Sequence, residues 1–446
     1  MQIESFFDKG LAHLSYAVIS KGEIALIDPS RDIAPYIELE RKYNARIKAV
    51  IETHPHADFI SGHGEFSLKK VPVYTSRLSE VTYEHTPFDD GDEIQLGAVK
   101  LKALNTPGHS PDSISVVLED ATGKPQALFS GDTLFIGDVG RPDLRENTSD
   151  SRTLKEKLAG DLYHSLHDVI LKLPDDTIIY PAHGAGSLCG KSLSDQLSDT
   201  IGNQKKENYA LQPMSSSAFV DMILDNLPFI PKYFPYNVVL NKKGARSLKE
   251  SLSAVRQLKS PEEIGNNALI IDSRSANVFK TGHIKGAINI PDGGKFETWL
   301  GSVVSPDESF YLIAEDEEAL KKVLYKAAKI GYESNIAGTL IVDRIRAISS
   351  EKIDAEDVLR SEAEYTIVDV RDVNEVASEK MFPTALNIPL YKLRESIHEI
   401  PEGKPIAVHC AGGYRSAIGS SILESVKNDK VYDIGESIKL VHAPRK

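Results

Sequence analysis

An internal repeat in the second half of the chain limits how that half can fold. Segment 268–274 reads Ala-Leu-Ile-Ile-Asp-Ser-Arg, and a similar run, Thr-Ile-Val-Asp-Val-Arg, stands at 366–371. Ala-Ile-Asn-Ile-Pro at 287–291 recurs as Ala-Leu-Asn-Ile-Pro at 385–389. The copies lie about 97 positions apart, which is the size of one small α/β domain. The second half is therefore predicted to hold two such domains in tandem.

The chain length of 446 residues suits about three domains in all. A connector rich in lysine and serine follows the first half and marks a boundary. We predict a first domain at 1–245, a second at 246–348 and a third at 349–446. An apolar stripe at helical spacing in the second domain predicts a helix that faces the core, through Leu320, Val323, Leu324, Ala327 and Ala328.

Composition limits the partners and the compartment. The net charge is -13 and no block of lysine or arginine occurs, so neither nucleic acid nor an anionic membrane surface is an expected partner. No apolar run is long enough to span a membrane, and the first residues lack the pattern of a secretion signal. The two cysteines, Cys189 and Cys410, favour free thiols in a reducing compartment. We expect a cytoplasmic protein, with a homo-oligomer as the default assembly.

Polar residues able to bind metal follow a series of short strand-like runs in the first half. The runs are 23–27, 48–51, 101–104, 127–129 and 178–180. The sequence His54-Pro-His56-Ala-Asp58 follows the second run, and His109, Asp132 and His183 follow the next three. A lone histidine is usually a packing or surface group, but histidines and aspartates after successive strands are typical of a metal site on loops at strand ends.

These motifs, with Thr-Pro-Gly-His, Ser-Gly-Asp-Thr and Pro-Ala-His-Gly in that order, resemble the metallo-β-lactamase family. The resemblance is nearest to its glyoxalase II and persulfide dioxygenase branches and covers about residues 1–241. It implies a four-layer αββα sandwich with metal at one edge of the sheets. The fold class predicted for the whole chain is therefore α/β multidomain, with this sandwich followed by two small α/β domains.

One departure from the hydrolytic members of that family concerns Phe59. Hydrolytic members carry a histidine there that helps to hold a second metal, and a phenyl ring cannot be a ligand. The resemblance to persulfide dioxygenases then implies one mononuclear non-haem Fe(II) per chain on His54, His109 and Asp132. Two imidazoles and a carboxylate leave positions for O2 and substrate side by side, whereas zinc has no redox chemistry.

The remaining polar residues of the motifs leave alternatives open. His56, Asp58 and His183 are candidates to orient the ligands or to contact the substrate, and the alternative is direct ligation as in the hydrolases.

Arg141 lies in Gly-Arg-Pro-Asp, which matches a motif of persulfide dioxygenases. It is either a site residue, a pin for the Asp132 loop, or part of an ion pair on a surface turn. Cys189 follows His183 closely, and it either carries a persulfide near the mouth of the site or packs as a small buried residue.

A glycine-rich cysteine loop stands in the third domain, between a predicted strand at 406–408 and a predicted helix. Amides of such a loop at a helix N-terminus stabilise a thiolate and a neighbouring anion. The cysteine-to-arginine spacing resembles the rhodanese loop, one residue shorter than phosphatase loops. That resemblance implies that Cys410 carries sulfur and that Arg415 binds sulfite or thiosulfate oxygens. The loop members are Cys410, Ala411, Gly412, Gly413, Tyr414, Arg415 and Ser416.

The second domain resembles a rhodanese without its cysteine. It keeps Gly-His-Ile-Lys-Gly-Ala-Ile-Asn-Ile-Pro at 282–291, whereas the third domain has only the end of that motif. Its loop region at 311–318 contains neither cysteine nor glycine. We interpret it as a pseudo-rhodanese that spaces or docks the other domains.

The order of the three parts resembles bacterial fusions of persulfide dioxygenase with rhodanese. This implies oxidation of a low-molecular-weight thiol persulfide by O2 to sulfite, and sulfane sulfur transfer through Cys410 to or from sulfite or thiosulfate. One alternative is a metal-dependent thioester hydrolase of the glyoxalase II type with an appended sulfurtransferase. Another is a non-catalytic persulfide sensor.

Overall fold

The computed structural model describes residues 1–145, 151–342 and 348–441. The chain divides into two compact units. The first comprises Met1–Glu250 with Lys329–Gly331, and the second comprises Ser251–Ala328 with Tyr332–Lys446. The domain boundaries predicted at 245 and 348 stay predictions.

Two six-stranded sheets form the first unit. The first sheet has strand order β1-β2-β3-β4-β5-β6 and the second β12-β11-β10-β9-β8-β7. The strands are β1 (Gln2–Asp8), β2 (His13–Ser20), β3 (Glu23–Ile27), β4 (Arg46–Ile51), β5 (Val73–Thr75), β6 (Thr86–Pro87), β7 (Glu93–Leu96), β8 (Val99–Asn105), β9 (Ile114–Glu119), β10 (Pro125–Gly131), β11 (Ile178–Pro181) and β12 (Asp199–Thr200).

Helices cover the outer faces of these two sheets. Up to residue 254 the helices are α1 (Ala34–Tyr43), α2 (His63–Leu68), α3 (Ser151–His164), α4 (Ile201–Glu207), α5 (Ser216–Leu224), α6 (Tyr233–Lys243) and α7 (Leu248–Ala254). Among the helices that the structure describes, none combines the length and apolar character needed to cross a membrane.

The alternation of side chains along the strands explains the layers. In β10, Ala127 and Phe129 point into the core between the sheets, while Leu128 joins the outer core with α3 and α5. In β3, Ile27 faces the inner core and Leu26 faces the outer core with α1 and α2. Strands that are apolar on both faces are buried on both faces. The predicted αββα sandwich is therefore confirmed.

Two parallel sheets form the second unit, with orders β14-β13-β15-β16 and β17-β21-β20-β18-β19. The strands are β13 (Leu269–Asp272), β14 (Ala287–Asn289), β15 (Phe310–Ala314), β16 (Ile336–Ile341), β17 (Glu351–Lys352), β18 (Thr366–Asp369), β19 (Leu386–Asn387), β20 (Ile406–His409) and β21 (Val431–Asp433). The helices are α8 (Ala276–Thr281), α9 (Phe296–Val303), α10 (Glu317–Lys329), α11 (Ala355–Arg360), α12 (Val373–Ser378), α13 (Leu390–Leu393), α14 (Tyr414–Val426) and α15 (Ile438–Val441).

The repeated motifs build the same buried frame in both sheets. In the last domain Arg371 donates from Nε and Nη2 to both oxygens of Asp369, with Nη2 at 2.7 Å from Oδ2. Asn387 donates to the Asp369 carbonyl at 3.0 Å and so joins β19 to β18. In the middle domain Arg274 binds Asp272 in the same way, at 2.6 Å. The repeat is therefore a structural device that pins strand ends.

The predicted helix of the middle domain is α10. Four residues of the predicted stripe, Leu320, Val323, Ala327 and Ala328, are buried along it, whereas Leu324 is only half-buried.

Candidate metal centre and sulfur loop

Four loops of the first unit bring their polar residues to one place. His54 follows β4, His109 follows β8, Asp132 directly follows β10, and His183 follows β11. Asp132 owes its direction to Gly131, whose φ of +55° favours glycine and whose missing Cβ would lie 2.8 Å from the Thr53 hydroxyl. The strands predicted before these residues are present, and the residues that follow them lie close together.

The structure brings together the predicted ligands His54, His109 and Asp132. One donor atom of each lies within 4.8 Å of the others, and all three residues are buried. Nε2 of His109 lies 3.4 Å from Asp132 Oδ2, and Nε2 of His54 lies 3.8 Å from the same oxygen. Two imidazole nitrogens and a carboxylate in a buried group are a donor set that suits a divalent transition metal, Fe(II) included.

A hydrogen-bond chain sets the tautomer of His54. The Thr53 hydroxyl has one hydrogen, and it donates that hydrogen to Asp28 Oδ2 at 2.9 Å. The hydroxyl oxygen of Thr53 lies 3.1 Å from His54 Nδ1, so it accepts the hydrogen that Nδ1 carries. Nε2 of His54 then keeps its lone pair and faces the centre. Outer partners of this kind fix the ring orientation of metal-binding histidines.

Protonation states also suit metal binding at these three residues. Burial lowers the pKa of His54 and of His109 well below the ordinary value, with help from neighbouring positive groups. Both rings are therefore neutral and able to donate a lone pair. Burial raises the pKa of Asp132 to about 6, and so the carboxylate is mostly ionised at neutral pH.

His56, Asp58 and His183 form a second buried group, again with donor atoms within 4.8 Å. Nε2 of His183 lies 3.5 Å from an oxygen of Asp58 and 3.5 Å from an oxygen of Asp132. Its Nδ1 lies 3.3 Å from the carbonyl of Ala12, which accepts a hydrogen from it. The Nε2 lone pair of His183 thus faces two carboxylates, an arrangement that needs a cation or a proton between them.

His56 differs electrostatically from His54 and His109. Its Nε2 lies 3.1 Å from Asp28 and 3.8 Å from Glu52. Burial opposes protonation, but these two carboxylates outweigh it and raise the pKa of His56 to about 9. A metal would have to displace this proton, and Nε2 already faces two carboxylates, so these contacts favour His56 as a supporting group over a direct ligand.

Phe59 packs among the histidines. Its ring centroid lies 3.8 Å from that of His13 and 4.4 Å from that of His56, and the ring is buried. The phenyl group thus fills space beside the second group without supplying a donor.

Arg141 is buried, so a surface turn is the wrong interpretation of its motif. Its guanidinium group binds both oxygens of Asp143, at 2.6 and 2.7 Å, and donates to the carbonyl of Pro228 at 2.6 Å. Its backbone amide donates to the carbonyl of Cys189 at 2.9 Å. Gly140, just before it, packs against Asp132 so tightly that a Cβ would lie 1.8 Å from the Asp132 carbonyl oxygen. Arg141 therefore ties the loop after Asp132 to the Cys189 segment.

Cys189 is buried beside the centre. Its thiol belongs to a group with Asp132 and His183 whose donor atoms lie within 4.8 Å of one another. Burial, followed by the charges of Asp58 and Asp132, raises the pKa of the Cys189 thiol well above its ordinary value. Its 1% exposure fits the alternative in which Cys189 packs as a small buried residue. Its position near the metal ligands fits the alternative in which it carries a persulfide close to the site.

In the second unit Cys410 directly follows β20, and α14 begins at Tyr414. The backbone amide of Gly413 donates to Cys410 Sγ at 3.1 Å. Gly413 has φ +96°, and a Cβ there would lie 3.0 Å from the Glu436 backbone, so the turn requires glycine. The predicted amide support of the sulfur is thus present. Ala411 is exposed and Gly412 is partly exposed.

The other members of the loop have distinct partners. Arg415 binds both carboxylate oxygens of Glu375, with Nη2 at 2.7 Å from Oε1. The Tyr414 hydroxyl donates to the carbonyl of Pro291, in the middle domain, at 2.7 Å. The buried Ser416 hydroxyl donates to the Gly413 carbonyl at 3.1 Å and closes the turn.

Strand register identifies the corresponding loop of the middle domain. Asp369 pairs with His409, and Asp272 pairs with Ile313. Ala314 therefore stands where Cys410 stands. Helix α10 begins at Glu317, so this loop is one residue shorter and has no glycine. The middle copy has no thiol at this position to carry sulfur.

Family models match both parts of the chain that carry these residues. The metallo-beta-lactamase superfamily model matches residues 8–183. The rhodanese-like domain model matches 254–338 and again 352–443. A crystal structure of a metallo-beta-lactamase from Staphylococcus aureus subsp. aureus COL is 33% identical, with a TM-score of 0.68, over 76% of this chain and 99% of that one.

The chain belongs to the metallo-beta-lactamase superfamily, and two rhodanese-like domains follow that domain.

Two curated relatives match the metallo-beta-lactamase domain. The mitochondrial persulfide dioxygenase ETHE1 of Homo sapiens is 35% identical over 164 residues, 36% of this chain and 59% of that protein. The cytoplasmic hydroxyacylglutathione hydrolase of Arabidopsis thaliana is 32% identical over 174 residues, 38% of this chain and 62% of that protein. The chain thus spans less than two thirds of each relative. The architecture fits a fusion of a persulfide dioxygenase with rhodanese.

Asp28, which follows the first of the five predicted strands, orients Thr53 and His56. Two further residues of this metallo-beta-lactamase and rhodanese chain were not found from the sequence. Arg145 donates to the carbonyl of Pro55 and to the Ser110 hydroxyl, both at 2.9 Å, and so ties two ligand loops together. Glu375 binds Arg415. Each is remote in sequence from the motif that it serves, and no local pattern announces it.

Proposed function

We propose that this chain oxidises a low-molecular-weight thiol persulfide with O2 to sulfite at one Fe(II), held by His54, His109 and Asp132. We further propose that Cys410 transfers sulfane sulfur to or from sulfite or thiosulfate. The two activities together would remove sulfide and persulfide.

The contrast among the buried histidines carries the proposal. His54 and His109 are neutral and face Asp132, whereas His56 is held as a cation by Asp28 and Glu52. Three donors on one ion leave coordination positions open. Bound Fe(II) would supply the redox chemistry with O2 that side chains lack. Phe59 fills the space beside these residues and offers no donor to a second ion.

The atoms of the oxidation balance without a further co-reactant. One persulfide RSSH, one O2 and one water give one thiol, one sulfite dianion and two protons. The outer sulfur is oxidised and O2 is reduced. The buried His183 and Asp58 lie where they can accept or relay a released proton.

The sulfur transfer at Cys410 also balances. The thiolate attacks the outer sulfur of RSSH, the sulfur–sulfur bond breaks, and the thiol leaves as RS⁻, so that the outer sulfur and its proton end on Cys410. Sulfite then takes that sulfur, giving thiosulfate and the Cys410 thiol. The amide of Gly413 stabilises negative charge on the cysteine sulfur. Because sulfite is the product of one half and a substrate of the other, fusion raises its effective concentration.

Oxygen uptake by the Fe(II)-loaded protein on addition of glutathione persulfide tests the first half. His109→Ala should abolish uptake and the bound iron, because it removes one of three ligands. His164→Ala is the matched control, since His164 is exposed and its Nδ1 lies 2.8 Å from Asp168. No uptake by wild-type protein with one iron per chain would refute the dioxygenase proposal.

A hydrolase with two metals is the second candidate, and the group of His56, Asp58 and His183 favours it. Neither carboxylate oxygen of Asp58 has a hydrogen-bond partner among the described residues, as in a site that awaits a cation. Two tightly bound zinc ions per chain and hydrolysis of S-lactoylglutathione, without oxygen uptake, would establish this candidate in place of the first.

A further inference from the structure

The arginine of the sulfur loop is already bound to a carboxylate of the chain itself. Both terminal nitrogens of Arg415 bind both oxygens of Glu375, which makes the fork-to-fork pair that a guanidinium group also forms with oxyanions. Arg415 is mostly buried and lies close enough to Cys410 for their charges to interact. The group expected to receive sulfite or thiosulfate oxygens thus already holds an anion.

Glu375 has a second anchor that does not depend on Arg415. It is the third residue of α12, and its Oε2 accepts from the backbone amide of Asp372 at 3.0 Å, within a capping box. This bond stays available when Arg415 turns to another anion. Burial opposes ionisation of Glu375, but the hydrogen bonds and charge of Arg415 and the amide of Asp372 together lower its pKa, so it is an anion at neutral pH.

The middle copy provides an internal comparison. Helix α8 begins at Ala276 as α12 begins at Val373, so Val278 occupies the place of Glu375. The second residue of α10 is Glu318, where the second residue of α14 is Arg415. The copy without the cysteine thus lacks both members of the pair. The frame that both copies share does not require Glu375, and its role is tied to the sulfur loop.

We propose that Glu375 is an internal competitor for Arg415, which weakens the binding of free sulfite and thiosulfate at the Cys410 loop. The edge of the guanidinium group formed by Nη1 and Nη2 cannot hold two anions, so an oxyanion that uses this edge must displace the carboxylate. A thiol persulfide needs only its outer sulfur at Cys410 and is not subject to this competition. Glu375 therefore discriminates between these two kinds of sulfur compound. The inference rests on the proposed sulfurtransferase function.

Calorimetric titration with thiosulfate separates this inference from turnover. The Cys410→Ser protein, which cannot react, serves as the background. Adding Glu375→Gln keeps the cap and the size of the side chain but removes its charge, and it should tighten thiosulfate binding about tenfold. Adding Glu402→Gln instead is the matched control, because Glu402 is an exposed carboxylate of the same domain, and binding should not change. Unchanged or weaker binding with Glu375→Gln would overturn the proposal.

Kinetics of proteins that retain Cys410 give the second readout. With thiosulfate as donor and cyanide as acceptor, Glu375→Gln should lower KM about tenfold and leave kcat nearly unchanged. With glutathione persulfide as donor, KM should stay within about twofold. A lower kcat with a raised KM would mean that Glu375 positions Arg415, and would refute competition. If wild-type protein transfers no sulfur, the proposed function fails, while the titration still decides the role of Glu375.

Discussion

The two rhodanese-like copies share a buried frame and differ in the loop above it. Both pin a strand end with an aspartate–arginine pair, and both join it to the next strand through an asparagine. Above that frame one copy carries Cys410 on a glycine turn, and the other carries Ala314 on a shorter turn. The difference teaches that the repeated motifs specify a fold, while the chemistry depends on a few loop residues.

The largest expected effect comes from changing the loop that carries Cys410. Cys410→Ser should lower sulfur transfer to sulfite by about 1000-fold or more, because no other described thiol lies in that loop, while oxygen uptake should continue. Ala314→Cys in that protein should restore nothing, since its loop has no glycine turn to support the thiolate. Thiosulfate formation measures both. Restored transfer would show that a cysteine at this position is sufficient for sulfur transfer without the glycine turn.

The buried aspartate–arginine frame provides the next test, in which an uncharged residue replaces the aspartate of either copy. Asp369→Asn and Asp272→Asn should each destabilise their domain by about 3–5 kcal/mol, because each leaves a buried arginine without its counter-charge. Thermal unfolding of the two variants measures this, and the losses should be alike. If Asp272→Asn left the stability of its domain unchanged while Asp369→Asn lowered it, the two frames would not be equivalent.

The contact between the copies gives the smallest expected effect. Tyr414→Phe removes the bond to the Pro291 carbonyl and should cost about 1 kcal/mol in unfolding free energy. Sulfur transfer should fall less than about threefold, because Cys410 keeps the amide of Gly413. A loss comparable to that in Cys410→Ser would mean that the middle copy takes part in the chemistry.

Strand-end motifs were the best guide to the sites. The runs before His54, His109, Asp132 and His183 form strands, and parallel strand ends meet at one edge, so these residues converge. The apolar pattern was slightly less reliable, because Leu324 belongs to the predicted stripe of α10 and yet is only half-buried.

The motifs did not predict which groups surround each polar side chain. Arg141 matched a family motif, but its burial against Asp143 and the Pro228 carbonyl depends on a segment far along the chain. Arg145 supports both ligand loops, although nothing near it in sequence distinguishes it from a surface arginine. Such contacts arise only when separate segments pack.

The sequence by itself determined the tandem organisation, the strands that present the polar residues, and the absence of a thiol from the middle copy. These follow from local order: a short apolar run, then a polar residue at its end. Only the tertiary structure decided which histidines are neutral and which anion faces Arg415. Asp28, Glu52 and Glu375 act through space, and charge interactions depend on distance and burial rather than on position along the chain.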